Sequence, residues 1–277
     1  MFSIRTPWLS SLNAAASSLF NKDAYLETLI SYNNKGGVFK KSTEPLSFED
    51  YTLNFFAFKR VNGFSYAGSF KFVESYSKEK RWTYLMNTAR DMPYIIGDSI
   101  KSSFRKELLD VNLSVSHALF SSKVDAGIMF NYNSAIGVKD IDPRPVNILS
   151  KVSFTPSLLY KYSDFIRFAI AFNYCLRNEK IEIKKLTDVQ SNLFLFSGLG
   201  FVSTEIMLSS FNRSYNTYKR ELELCFQYDN KDEFMTFSKL SFLSENTNIE
   251  DGKDVIKPEY SFLNREVSLR SFFSKKK

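Results

Sequence analysis

Apolar and polar residues alternate along this chain over stretches longer than ten residues. The clearest stretch is Asp164 to Arg177. Its even positions are Ile166, Phe168, Ile170, Phe172, Tyr174 and Leu176; its odd positions include Arg167, Ala169, Ala171, Asn173, Cys175 and Arg177. Neighbouring side chains of a strand point to opposite faces, so a period of two gives one wholly apolar face and one small or polar face. A helix would mix the two sets on every side. Phe64–Phe72, Val111–Leu119, Val124–Tyr132 and Leu222–Tyr228 repeat the pattern, and Tyr51–Arg60 is strand-like with an apolar middle.

Turn signals divide these stretches. Asn62-Gly63 is a hairpin cue, and 121–123, 162–164 and 229–232 are short polar breaks. Longer polar connections are predicted near 90–104, 138–147, 178–192 and 247–259. Short and long connections partly alternate, as the turns and external loops of a membrane barrel do. That alternation is lost between 178 and 233. The period-2 rule gives about ten to twelve strands.

Strand length separates the β architectures. Sandwich strands run ~5–6 residues with turns every ~8–12, whereas a membrane-spanning strand needs ~9–11. The expected fold is therefore all-β: an antiparallel transmembrane β-barrel, complete or partial, with the apolar face toward lipid. Residues 1–22 read as an entry segment and 23–277 as the barrel domain. A soluble all-β binding protein, with the apolar face inward, is the alternative fold reading.

Composition narrows this picture. Aromatic residues make up 16% of the 277 residues, with Phe 28 and Tyr 15, which suits pleated surfaces and membrane interfaces. The formal charge of +7 is spread thinly, in pairs such as Lys40-Lys41 and Lys184-Lys185, and offers no clustered basic face for nucleic acid. Cys175 and Cys225 have neither metal-ligand nor disulfide-framework spacing. Gly198–Gly200 lacks the lysine and hydroxyl of a phosphate loop. No cofactor or metal site is expected.

The chemistry available is sparse. His117 is the single histidine. A barrel-borne lipid-modifying hydrolase would depend on it, but Ser116 points to the opposite face, so its nucleophile would have to come from a neighbouring strand. Asp142, Pro143 and Arg144 read as loop-shaping residues, with the carboxylate and guanidinium fixing a proline-stiffened turn. Arg167, Asn173 and Arg177 share the polar face of the best strand. If that face lines a lumen, they set its charge or fill it with internal ion pairs.

Three short motifs stand among the Phe- and Tyr-rich strands: Asn13-Ala14-Ala15 after Pro7-Trp8, Met92-Pro93-Tyr94 running to Gly97-Asp98, and Asp142-Pro143-Arg144-Pro145. On these the chain resembles outer-membrane β-barrel proteins of unknown function found in Bacteroidetes. The resemblance implies a fold and a location in the cell outer membrane, and no reaction. The expected role is non-enzymatic, as a structural element, a pore or a docking partner, with outer-membrane lipid and other envelope proteins as the expected partners. Such proteins carry an N-terminal export signal, whereas Met1–Phe20 is broken by Ser, Asn, Arg and Pro. The sequence also closes on Phe272-Phe273-Ser274 and three lysines rather than an aromatic strand end. A removed signal or an upstream start, and a barrel lacking its last strands, are the corresponding expectations.

Overall fold

The alternating stretches are strands. The computed structural model describes residues 7–86, 92–119, 122–184, 186, 191–198, 201–207, 210–230, 234–252 and 257–275. The chain ends and parts of the polar stretches near 90, 121, 190, 200, 232 and 255 lie outside them. Two short 3₁₀ helices, Pro7–Ser10 and Ala14–Leu19, precede the strands. The strands are β1 (Ala24–Gly36), β2 (Ser47–Val61), β3 (Phe64–Lys80), β4 (Tyr94–Gly97), β5 (Ser102–Leu119), β6 (Val124–Lys139) and β7 (Arg144–Lys161). Then come β8 (Ile166–Lys184), β9 (Ser191–Ser197), β10 (Val202–Met207), β11 (Ser210–Asp229), β12 (Phe234–Gly252) and β13 (Lys257–Lys275).

Ten of these form one sheet in the order β1-β2-β3-β5-β6-β7-β8-β11-β12-β13, and the other three form a small sheet, β10-β9-β4. Every pairing in the large sheet is antiparallel. Among the described pairings the large sheet is open, with β1 and β13 at its edges. Its strands run from 13 residues in β1 to 20 in β11, well beyond the usual length of sandwich strands.

Connections sort cleanly by end. At one end lie the short turns β2–β3, β5–β6, β7–β8 and β11–β12; at the other lie the β1–β2 loop, the segment carrying β4, the short 140–143 loop, the segment carrying β9 and β10, and the β12–β13 loop. The β2–β3 turn is tight, with Asn62 at φ 50° and Gly63 at φ 80°. Both residues take the left-handed region that a two-residue hairpin turn demands, which is why Asn-Gly stands there.

The polarity of the large sheet is inverted relative to a soluble protein. On β8, Phe168, Ile170, Phe172 and Leu176 are exposed, Phe172 at 44%, whereas Ala171 and Cys175 are 2% exposed and Asn173 is 7%. β7 repeats this, with Phe154, Leu158 and Tyr160 exposed and Ser153, Thr155 and Ser157 buried.

The structure corrects the sequence reading in two places. The long polar connections expected near 138–147, 178–192 and 247–259 are largely strand. β6 reaches Lys139, β7 begins at Arg144, β8 runs to Lys184 and β12 to Gly252. Lys139, Asn147 and Glu179 in these stretches face the buried side, where inserted segments supply their partners, so polarity there does not mark a loop; Lys180 and Glu182 pair with each other on the opposite face. The apparent loss of alternation after 178 arises because β9 and β10 belong to a single long connection between β8 and β11, off the large sheet. Thirteen strands are described against the ten to twelve expected.

Candidate functional site

The buried face of the large sheet is filled from both ends. At the end of the short turns, the segment from Pro7 to Phe20 lies against it. Small side chains permit the approach: Ala14, Ala15, Ala16 and Ser17 are all buried. Gly127 on β6 lets the wall come still closer, since a Cβ there would lie 2.3 Å from the Ala15 nitrogen. No real Cβ tolerates that distance, so only glycine fits.

Hydrogen bonds then fix the segment to strand after strand. The Leu12 amide donates to Glu223 Oε1 at 2.7 Å and the Ala15 amide to Ser157 Oγ at 3.1 Å. Asn13 caps the second 3₁₀ helix through Ala16 N, and its Nδ2 donates to the carbonyls of Leu158 and Ile170. Ser17 meets Ser116 at 2.7 Å, and Ser18 donates to Asp125. Arg60 Nη2 donates to the carbonyls of Ser18 and Phe20, and Lys239 Nζ to that of Ser10. A short 3₁₀ helix leaves terminal backbone groups without partners, and these wall side chains satisfy them.

At the other end, the segment after β3 and the small sheet form the second filling. Trp82 and Tyr84 pair through their amides with the carbonyls of Asp98 and Ile96. A Cβ on Gly97 would lie 2.3 Å from the Trp82 carbonyl carbon, so this pairing also depends on glycine. Tyr84, Leu85, Met92, Ile96 and Leu193 pack on Ile181, Ile183, Tyr215 and Ile249 of the wall. Three wall side chains bind the inserted backbone: Asn147 donates to the Tyr84 carbonyl, Lys80 Nζ to that of Leu85 at 3.0 Å, and Glu179 Oε1 accepts from the Met86 amide at 2.8 Å. The buried Asp98 takes the Tyr84 hydroxyl and the Lys139 ammonium. Burial, with the Asp98 carboxylate beside it, holds the Tyr84 hydroxyl well above the ordinary phenol range.

The residues singled out from sequence fall into this arrangement at separate places. Arg167 Nη1 donates to Gln227 Oε1 at 3.1 Å, and the same oxygen accepts from Trp8 Nε1 at 2.7 Å. Asn173 accepts from Thr155 Oγ1 at 3.1 Å. Arg177 pairs with Glu179 at 2.7 Å and so braces the carboxylate that holds Met86. All three are on the buried face, Arg167 at the short-turn end and Arg177 toward the other. Asp142 Oδ1 forms an ion pair with Arg144 Nε at 3.1 Å and its Oδ2 accepts from the Leu186 amide at 3.1 Å, next to a cis Asp142–Pro143 peptide. Arg144 is the first residue of β7 rather than a loop residue, because its backbone pairs with Lys184.

His117 is on the exposed face. Its ring stacks on Phe64 at 4.2 Å and its Nδ1 meets the Gly63 carbonyl at 3.1 Å. The residues opposite it on the two neighbouring strands are Phe64 and Ala126, neither of which carries a nucleophile.

Sequence reasoning named Gly97 and Asp98 only as part of a motif, and it missed Gly127 and Glu223, which seat the N-terminal segment, and the buried wall pair Arg213 and Asp251, whose two contacts are 2.6 and 2.5 Å. A usable signal was present in charged residues at strand parity on the small-residue face, where only a buried partner makes them affordable.

Fold and site together define an antiparallel β-wall with an apolar exterior and an interior occupied by its own chain. The chain belongs to the family described as "Family of unknown function (DUF6850)", which matches residues 14–277. None of the curated proteins matches it. Among solved structures it is similar to one titled "CymD monoaromatic hydrocarbon channel", at 13% identity and a TM-score of 0.34, covering 99% of this chain and 94% of that one.

Proposed function

We propose that this protein is a non-enzymatic outer-membrane β-barrel wall whose lumen is closed by its own segments, with a structural or gated-pore role in the envelope. The observation that carries the reading is the inverted polarity of the ten-stranded sheet. A soluble protein with Phe154, Leu158, Phe168, Ile170 and Phe172 exposed side by side would carry an aggregation-prone apolar patch. In a bilayer the same face is solvated by acyl chains. From Ile166 to Leu176 the apolar stretch of β8 is 11 residues, the length that a tilted strand needs to cross hydrocarbon.

Two further features support it. Short turns gather at one end and most long connections at the other, as in outer-membrane barrels. β1 and β13 also run in opposite directions, which permits antiparallel closure. Lipid tolerates no unpaired edge, so the reading requires both edges to be paired in the membrane, with each other or with further strands. The arginines and Asn173 of β8 then face the lumen, where they fill and brace it.

Fractionation tests the proposal. Expressed with an export signal in a Gram-negative host, the protein is expected in the outer-membrane fraction, extracted only by detergent, with a heat-modifiable gel mobility. Recovery at full yield in the soluble fraction without detergent would overturn it.

A further inference from the structure

A trough of ≈ 840 Å³ crosses the exposed face from β1 to β7. That volume lies within the ~300–1,000 Å³ of ligand pockets. Its floor is made by absent side chains. Ala57 and Gly68 stand directly opposite each other on β2 and β3, and Leu26 and Leu113 flank them in the same cross-strand row. Phe130 and Phe154 continue the wall. In the neighbouring row Phe55 faces Phe70, and there the surface is filled.

The glycine in this floor is not explained by the protein itself. A Cβ on Gly68 would meet Leu113 Cδ2 at 3.4 Å, an ordinary contact, whereas at Gly127 and Gly97 it would meet backbone at 2.3 Å. Glycine inside a strand costs stability and marks a place where something approaches the backbone closely. At Gly68 the free space opens outward, so what approaches comes from outside the chain.

One charge borders the trough. Lys59 is exposed on the apolar face, in the row Ala24–Lys59–Tyr66 beside the floor, and has no ion-pair partner among the described residues. It lies near the Asn62-Gly63 turn, so its flexible stem reaches the level where headgroups begin. A lone ammonium on a lipid-facing surface is costly unless an anion meets it.

We infer that the trough is a specific site for one anionic phospholipid, with an acyl chain over Ala57 and Gly68 and the phosphate on Lys59. This rests on the outer-membrane reading above. The phosphate ester accepts from the ammonium while the apolar walls exclude water around the chain, so the two halves of the site reinforce each other.

The full-length protein in detergent micelles, given phosphatidylglycerol or phosphatidylethanolamine of the same acyl composition, is examined by native mass spectrometry. Wild type is expected to retain one phosphatidylglycerol in preference to phosphatidylethanolamine. Gly68→Leu, which fills the floor, removes retention of both lipids. Lys59→Gln lowers phosphatidylglycerol retention about fivefold, and Lys59→Arg restores it. Folding is checked by heat-modifiable mobility; if Gly68→Leu fails to fold, the Lys59→Gln and Lys59→Arg pair decides. Equal retention of the two lipids by wild type, or unchanged retention in Lys59→Gln, overturns the site. Failure of the underlying reading looks different, because a soluble protein needs no detergent and carries no lipid at all.

Discussion

Gly127 stands against Ala15 so closely that a β-carbon on the glycine would overlap the Ala15 amide, 2.3 Å away. The two residues are far apart in sequence, and their contact seats the N-terminal segment on the wall. Gly127→Val is therefore expected to unseat that segment while leaving the strands paired. In planar bilayers the variant should show a conductance that wild type lacks, and protease should cut between residues 7 and 20. A variant as closed and as resistant as wild type would show that the segment does not occlude the interior.

The wall's polarity gives a second test. Phe172 lies on the exposed face, mid-way along the apolar stretch of β8. Phe172→Arg should destabilise the protein by ~2–4 kcal/mol in lipid vesicles, the cost of a cation near the bilayer midplane. On a water-facing surface the same change is nearly neutral, within about 0.5 kcal/mol. Urea unfolding in vesicles separates the two outcomes.

Arg213 and Asp251 bond through two nitrogens and two oxygens, both side chains nearly inaccessible. Breaking such a pair strands a buried charge. Asp251→Asn is expected to lower stability by about 3–5 kcal/mol. Replacing both residues by apolar ones of similar size should cost much less, and equal losses in the single and double variants would count against the pair.

Tyr84 makes the inserted segment sensitive to alkali. Its folded pKa is raised above the ordinary 10.0, first by burial and then by Asp98. A raised folded value means the protonated form favours the fold, so this contribution is complete below the unfolded pKa and is lost as pH rises above it. Stability should fall with pH above about 10, and Tyr84→Phe should flatten that fall by one proton's worth of slope. An unchanged slope in urea midpoints would remove Tyr84 as the cause.

The fold was legible where one face is exposed and apolar and the other buried and small. β8 could be read residue by residue, because Phe168, Ile170 and Phe172 alternate with Ala169 and Ala171. Legibility failed where the buried face is polar. Asn147, Glu179 and Thr247 resemble loop residues in sequence, yet each is at most 1% exposed. Asn147 and Glu179 bind backbone that inserts from elsewhere in the chain. The placement of Arg167, Asn173 and Arg177 on one face followed from strand parity alone. Their partners did not, because Gln227 and Trp8 reach Arg167 only through tertiary structure. Short β4, β9 and β10 carry too few residues to show a period, so β4 falls within an expected connection and β9 and β10 fall where the alternation is lost.

The chain has two tryptophans, and the fold gives one to each filling. Trp8 sits edge-on to Phe237 in the N-terminal segment, and Trp82 edge-on to Phe194 beside the small sheet. Neither indole belongs to a wall strand. Fluorescence excited selectively at tryptophan therefore reports the two fillings while the strands of the large sheet contribute none, and single-tryptophan variants would follow the departure of either filling separately, without any added label.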